Sequence, residues 1–425
     1  LAKKIYYGWW IVLAAFVTNF ICAGIGFFTL PVFLKFVSED MGWGLKTLSV
    51  AGAISALAGG FISPGLGYII DRFGPRAVMI PGALILASSL FLLRWVGSTW
   101  QLYLLFLALG MGMAGTTILP SQTLISRWFA VKRGRAMGII AVSGGLGGVI
   151  WMPVANHLIA SIGWRDTYAI LGIIVAAATI PIIAIIIRPS PASMGLPMDG
   201  LDVSPGKEAG GAEKGGEPGY STGEAVKTKS FLLILCSIFF LTFASSGFGL
   251  HAINFFVESG LPSDRATYVW SATFAVSIVG RFFFGYISER FQKRYMASTA
   301  NVVRAASVVL LVLFSFKMLP APVAIVQLVI LYGLGNACNA VMNPLIIGET
   351  FGVKAFGKVM GLIGIPYTIG MALGQVAGGL LYDWKQDYTI AFGAFALSFI
   401  LAGVAISFAR PLFLLESREA LGKAE

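Results

Sequence analysis

The stretch Gly67-Tyr68-Ile69-Ile70-Asp71-Arg72-Phe73-Gly74-Pro75-Arg76 returns 218 residues later as Gly285-Tyr286-Ile287-Ser288-Glu289-Arg290-Phe291-Gln292-Lys293-Arg294. Both copies share the skeleton Gly-Tyr-Ile-x-acid-Arg-Phe-x-x-Arg, and each joins two long apolar blocks. A second pair supports the repeat. Phe129-Ala130-Val131-Lys132-Arg133-Gly134-Arg135-Ala136-Met137-Gly138 matches Phe351-Gly352-Val353-Lys354-Ala355-Phe356-Gly357-Lys358-Val359-Met360-Gly361 at an offset of 222, which becomes 223 after one inserted residue. Two motifs at nearly one offset mark an internal repeat of about half the chain.

The blocks between these motifs set the class. Of the 425 residues, 57 % are hydrophobic and 12 % charged, about half the charge that keeps a soluble surface wet. Mean hydropathy is +0.84. Twelve apolar blocks are long enough to cross a hydrocarbon core of about 30 Å. They cover 8–36, 46–70, 77–97, 99–126, 135–160 and 166–187, then 230–257, 266–288, 295–316, 321–348, 357–381 and 388–412. Continuous runs of this length exclude barrel strands, and only helices then satisfy their own backbone in lipid. The expected fold is an all-α membrane protein of twelve spans in two pseudo-symmetric six-helix bundles, 1–187 and 230–425. Residues 188–229 form the linker. Its centre, Gly206 to Gly219, is rich in Gly, Glu and Lys and holds no hydrophobic run that could build a core.

The net charge of +11 is spread in short clusters between apolar blocks, which excludes a nucleic-acid surface and encodes topology instead. With both termini inside, 21 of the 30 basic residues fall in inner segments and seven outside; Arg281 and Arg304 lie within spans. Lys3 and Lys4 precede the first block, which is too long for a signal-peptide core and reads as a retained span. The chain begins at Leu1, so a short preceding segment is expected. Cys22, Cys236 and Cys338 all sit in apolar blocks and read as small packing residues.

The loop Gly67-x-x-x-Asp71-Arg72-x-Gly74-x-Arg76 resembles the signature of the major facilitator superfamily. Tyr7-Gly8-Trp9-Trp10, Arg127-Trp128-Phe129-x-x-Lys132-Arg133 with Ala136 and Gly138, and Ile162-Gly163-Trp164-Arg165 are similar to segments of its monocarboxylate transporter family. The resemblance is to prokaryotic members that carry L-lactate with a proton; oxalate–formate exchangers share several of these features. It implies that Arg281 in span 8 stands where the family binds substrate. Two departures stand out. Ser277 lies where other members place an aspartate, and Phe27 or Phe28 where they place a lysine.

The residues agree with that expectation. Arg281 lies eight residues before Glu289, roughly 12 Å into the membrane. A charge at that depth normally faces a water-filled cavity, and a guanidinium matches a carboxylate with two parallel hydrogen bonds. Tyr332 and Asn336 in span 10 share one helix face. His251 in span 7 is the proton-coupling candidate, since histidine titrates near neutral pH. His157, near the outer end of span 5, reads as structural. Phe27, Phe28 and Leu30 in span 1, with Leu146 in span 5, offer an apolar wall. Arg304 in span 9 is expected to snorkel toward the inner interface. Asp71, Arg72, Arg76, Arg135, Glu289, Arg290, Arg294 and Lys358 stand at helix ends on one side, where they can pair across loops and with helix termini as a conformational latch.

No phosphate-cradling Gly-x-x-x-x-Gly-Lys-Ser/Thr loop occurs. Two isolated histidines provide no metal cluster or catalytic constellation. The expectation is therefore a secondary transporter of small monocarboxylates, L-lactate or pyruvate, by proton symport and alternating access. It would need no cofactor and no metal beyond the proton gradient, and would work as a monomer, multi-pass in a plasma membrane, the bacterial inner membrane, with both termini cytoplasmic. The alternatives are a carboxylate exchanger and, in another class, a channel.

Overall fold

The computed structural model describes residues 6–43, 45–199, 219–385 and 387–415. Lys3, Lys4 and the glycine-rich linker up to Pro218 lie outside the described residues. Among those described, twelve helices are long and apolar enough to cross a membrane. They are α1 Gly8–Phe28, α2 Val50–Phe73, α3 Arg76–Trp95, α4 Thr99–Trp128, α5 Arg133–Ile162, α6 Trp164–Ile186, α7 Lys229–Glu258, α8 Tyr268–Ile287, α9 Lys293–Ser315, α10 Ala321–Phe351, α11 Phe356–Tyr382 and α12 Thr389–Leu415. The chain is an all-helical membrane protein, as the apolar blocks require.

Three irregularities interrupt the helices. The last turn of α1, Gly24–Phe28, is a π-turn, and a separate helix, Leu30–Met41, follows it. The first block of the sequence reading therefore holds two helices. Residues Leu328–Tyr332 of α10 form a second π-turn. In α4 the helix breaks at Thr117, whose φ and ψ are −101° and −111°. A π-turn carries one residue more than the helix repeat, rotates the side chains that follow, and is often found at functional sites.

The described chain forms two compact units. The first takes residues up to Pro218 together with Val353–Gly364; the second takes Gly219–Gly352 and the chain from Ile365. The start of α11 thus packs with the first unit, and the division falls beside Pro366, a proline inside that helix. In the first unit an apolar core gathers Phe33, Leu86, Leu90, Leu109, Trp164 and Tyr168. In the second, Phe248, Phe255, Phe256, Phe392, Phe395 and Phe399 do the same.

The repeat reaches the level of backbone contacts. A Cβ on Gly110 of α4 would overlap the carbonyl oxygen of Ser55 on α2, and one on Gly333 of α10 would come within 2.8 Å of the Thr273 carbonyl on α8. These pairs are related by the offsets of the two motifs. Gly112 likewise faces Gly82 and Leu86 on α3, while Gly335 faces Ala300 and Arg304 on α9. Small residues at these crossings let the helix backbones touch, which is how helices associate in lipid.

The family-like motifs hold the ends of the first unit. Gly163 starts α6 with φ +82°. The Trp164 indole and the Arg165 guanidinium both reach Asp40, at 3.1 and 3.4 Å. Arg165 also donates to the carbonyls of Arg94 and Val96 and lies over the Trp164 ring. At the other end, the Tyr7 hydroxyl donates to the Ile186 carbonyl, the Trp128 indole donates to the Arg188 carbonyl, and Trp9 meets Phe129 edge-on.

Candidate functional site

In the second unit, α8 carries Ser277 and Arg281 one turn apart. Asn336 on α10 donates to the Ser277 hydroxyl at 3.0 Å, so its amide ties α10 to α8 directly beside Arg281. Arg281 is half-buried. Tyr367 on α11 lies within electrostatic reach of its guanidinium, and this ring is 48 % exposed. Nothing in the sequence flagged Tyr367: the pairing across helices needs the angle at which α11 meets α8.

Tyr332 lies in the π-turn of α10 and is buried. Arg304 donates to its hydroxyl at 2.8 Å and to the Ser245 hydroxyl on α7 at 2.8 Å. The same guanidinium lies over the rings of Tyr332 and Phe399, at 4.5 and 4.2 Å. With 1 % of its surface exposed, Arg304 does not snorkel. Its donors find hydroxyls and ring faces inside the unit, and that satisfies a buried cation better than an extended reach to the interface. The sequence reading placed it within a span and lacked its facing.

His251 on α7 sits against Gly378 of α11, where a Cβ would overlap the imidazole. Its Nε2 is 3.3 Å from the Gln375 carbonyl oxygen, and its ring lies 5.6 Å from that of Tyr388. Nearby, the Tyr382 hydroxyl donates to Glu258 at 2.6 Å. Tyr382 and Tyr388 pack ring to ring at 4.5 Å, so an aromatic run separates the Glu258 carboxylate from His251.

In the first unit, Phe27 and Phe28 meet edge-on at 5.2 Å in the π-turn of α1. Phe28 packs against Gly148 of α5, and Phe27 is 55 % exposed. Leu146 lies half-buried on α5 between Gly144, which faces Ala23 and Phe28, and Gly147, which abuts the Phe20 carbonyl. Leu30 instead lines a narrow apolar cleft with Phe33, Val37, Leu48, Phe106 and Tyr168. His157 is exposed. Among the described residues there is no cluster of three or more metal-ligating side chains.

The loop charges fall into distinct settings. Asp71 accepts from the amides of Gly357 and Lys358 at 3.0 and 2.8 Å and pairs with Arg127 at 3.5 Å. Both side chains of that ion pair are almost fully buried. The Lys358 ammonium lies over the Tyr68 ring at 4.6 Å. Arg72 donates to the Tyr68 hydroxyl at 2.9 Å, and Arg290 repeats this with Tyr286 at 3.3 Å. Arg76 donates to the carbonyl of Ala184 at the end of α6, whereas Arg294 donates to the neighbouring Tyr295 hydroxyl. Glu289 is half-buried at the end of α8 and Arg135 in the first turn of α5. The sequence reading gave Arg127 only as part of a family-like segment, without a partner, and did not single out Asp199. Asp199, from the linker, is buried, and its carboxylate accepts from the amides of Ala130, Val131 and Lys132 just ahead of α5. Tyr6 donates to the carbonyls of Trp128 and Pro197. Burial, and then the charge of Asp199, push its phenol up to about 12.

Comparison with known proteins fits this arrangement. The sequence pattern of the Major Facilitator Superfamily matches residues 16–262 and 234–424. The oxalate:formate antiporter of Oxalobacter formigenes is 27 % identical over 380 residues, covering 85 % of this chain and 84 % of that protein. Monocarboxylate transporter 13 of Bos taurus is 24 % identical over 417 residues, covering 96 % and 90 %. Among solved structures, the E. coli fucose:proton symporter superposes with a TM-score of 0.69 at 14 % identity, covering 96 % of this chain and all of that one.

Proposed function

The chain belongs to the major facilitator superfamily, and on that premise we propose that this secondary transporter, which is not an enzyme, carries small monocarboxylates with a proton, L-lactate foremost. The observation that carries the reading is Arg281 on α8, with the exposed face of Tyr367 beside it and Asn336 bonded one turn away. The guanidinium anchors the substrate carboxylate through two hydrogen bonds. Tyr367 and Asn336 set its approach, and Tyr332 holds α10 in place. Within the first unit, Phe27, Phe28 and Leu146 offer an apolar surface. His251 carries the proton, or the proton enters with the substrate while Arg281 requires an anion. Release and re-formation of the Asp71 bonds to Gly357 and Lys358 accompany the transport cycle. The protein works as a monomer without a cofactor, driven by the proton gradient, in a bacterial inner membrane with its basic loops and both termini cytoplasmic.

The test is uptake of labelled L-lactate into proteoliposomes. An alkaline lumen should drive accumulation, and collapse of the pH gradient should abolish it. Arg281→Ala and Arg281→Lys should lose uptake with expression intact; undiminished uptake by either sinks the anchor role. The likeness to the oxalate:formate antiporter supports a second reading as an exchanger. Uptake would then need a carboxylate preloaded in the lumen and would ignore the pH gradient.

A further inference from the structure

The two copies of the signature loop are alike in sequence and different in what their last arginine does. In the first unit Arg76 is tied to the carbonyl of Ala184 at the end of α6, and Pro189 packs against Gly74. In the second unit, among the described residues, the matching Arg294 donates to the hydroxyl of Tyr295 and lies over its ring. Beside the second copy, the described residues enclose a cavity of about 250 Å³. It is lined by the loop residues from Glu289 to Arg294, by Glu349 and Thr350 at the end of α10, and by Ala409, Pro411, Leu414 and Leu415.

Among the described residues that line this cavity, basic side chains outnumber acidic ones. Lys293 and Glu349 neutralise each other at 2.7 Å. That leaves Arg290 and Arg294 with one further carboxylate, Glu289, on the lining. Among the described residues, neither arginine has an acidic partner: Arg290 bonds the Tyr286 hydroxyl and Arg294 that of Tyr295. The Nε of Arg294 is buried and, among the described residues, has no hydrogen-bond partner. The amides that start α9 lack a side-chain cap and an acidic residue in the first turn, which adds a weaker attraction for negative charge. Two guanidinium forks around one space of this size match the oxygens of a phosphate.

The rim says where such a phosphate comes from. Tyr286, Phe291 and Tyr295 flank the arginines and are exposed, as aromatic side chains are at the level of lipid headgroups. Leu415 is exposed on the opposite edge. We propose that this cavity of the second unit binds the headgroup phosphate of an anionic phospholipid, held by Arg290 and Arg294, with its chains running past the exposed aromatic residues. The site is independent of the transport site and of what is transported.

The purified full chain in detergent, mixed with phosphatidylglycerol, phosphatidylcholine or inorganic phosphate, tests this by native mass spectrometry and thermal unfolding. Phosphatidylglycerol should remain bound and raise the melting temperature, while phosphatidylcholine and inorganic phosphate should do neither. The Arg290→Gln/Arg294→Gln variant should bind phosphatidylglycerol about thirtyfold more weakly, each basic residue near a lipid surface contributing roughly a fivefold attraction. If the variant folds poorly, the contrast between the lipids on the native chain still decides. Equal retention of the two lipids, unchanged binding by a folded variant, or capture of inorganic phosphate alone overturns the proposal.

Discussion

Arg304 occupies, in the second unit, the place that Leu86 holds in the first, and Tyr332 occupies that of Leu109. An apolar pair buried in one half has become a guanidinium bonded to a phenol in the other. A buried cation is costly unless its donors are used, and here the hydroxyls of Tyr332 and Ser245 use two of them. Arg304→Ala should lower stability by about 3 kcal/mol, since it opens a hole and removes the donor to the buried Tyr332 hydroxyl. Arg304→Leu with Tyr332→Leu copies the first unit and should restore most of the lost melting temperature. The measurement is thermal unfolding in detergent; a double variant no more stable than Arg304→Ala would show that the pair is not replaceable packing. The exposed polar positions respond differently. The folded-state value of about 12 for Tyr6 exceeds the ordinary phenol value of about 10. Its contribution is present below pH 10 and is lost as pH rises through 12. Tyr6→Phe should remove that loss from the pH dependence of the melting temperature.

At the scale of elements, the start of α5 depends on a carboxylate brought from the linker. Asp199 accepts three successive amides ahead of that helix, a cap no local residue supplies. Asp199→Ala should cost about 1–2 kcal/mol, and Asp199→Asn should recover part of it; equal melting temperatures for all three chains would exclude the cap. Such a contact is invisible in sequence because 67 residues separate Asp199 from Lys132. The spans themselves were legible, because a run of about twenty apolar residues has few other solutions in a chain this poor in charge. Their irregularities were not. The π-turns at Gly24–Phe28 and Leu328–Tyr332 leave no mark on hydrophobic pattern, yet they decide which way Phe28 and Tyr332 point. The shared face of Tyr332 and Asn336 followed from spacing alone. Their partners, Arg304 and Ser277, lie on other helices and required the packing. Arg281 was readable as a lone deep charge, whereas Tyr367 beside it belongs to a span with nothing unusual in its composition.

For the whole molecule, the proposed coupling of proton to substrate is a property that no single helix would carry. His251 lies against the α11 backbone at Gln375 and Gly378. Tyr388, ahead of α12, faces it, and behind that ring lie Tyr382 of α11 and the Glu258 carboxylate of α7 to which Tyr382 donates. His251→Gln should leave lactate-for-lactate exchange in proteoliposomes nearly unchanged while accumulation driven by the pH gradient falls at least tenfold. Gradient-driven accumulation equal to that of the native chain would instead place the proton on the substrate.

The glycine contacts of Gly110 on Ser55 and of Gly333 on Thr273 also carry a record of descent. When a gene for six helices doubles, both copies inherit every constraint that backbone contact imposes, and selection must keep both. A side chain that serves transport is needed once, so one copy is released to drift. Features shared by the halves therefore date from before the joining. The arginines at 281 and 304, facing a serine and a leucine at the matching places, mark what the second copy gained or the first gave up afterwards.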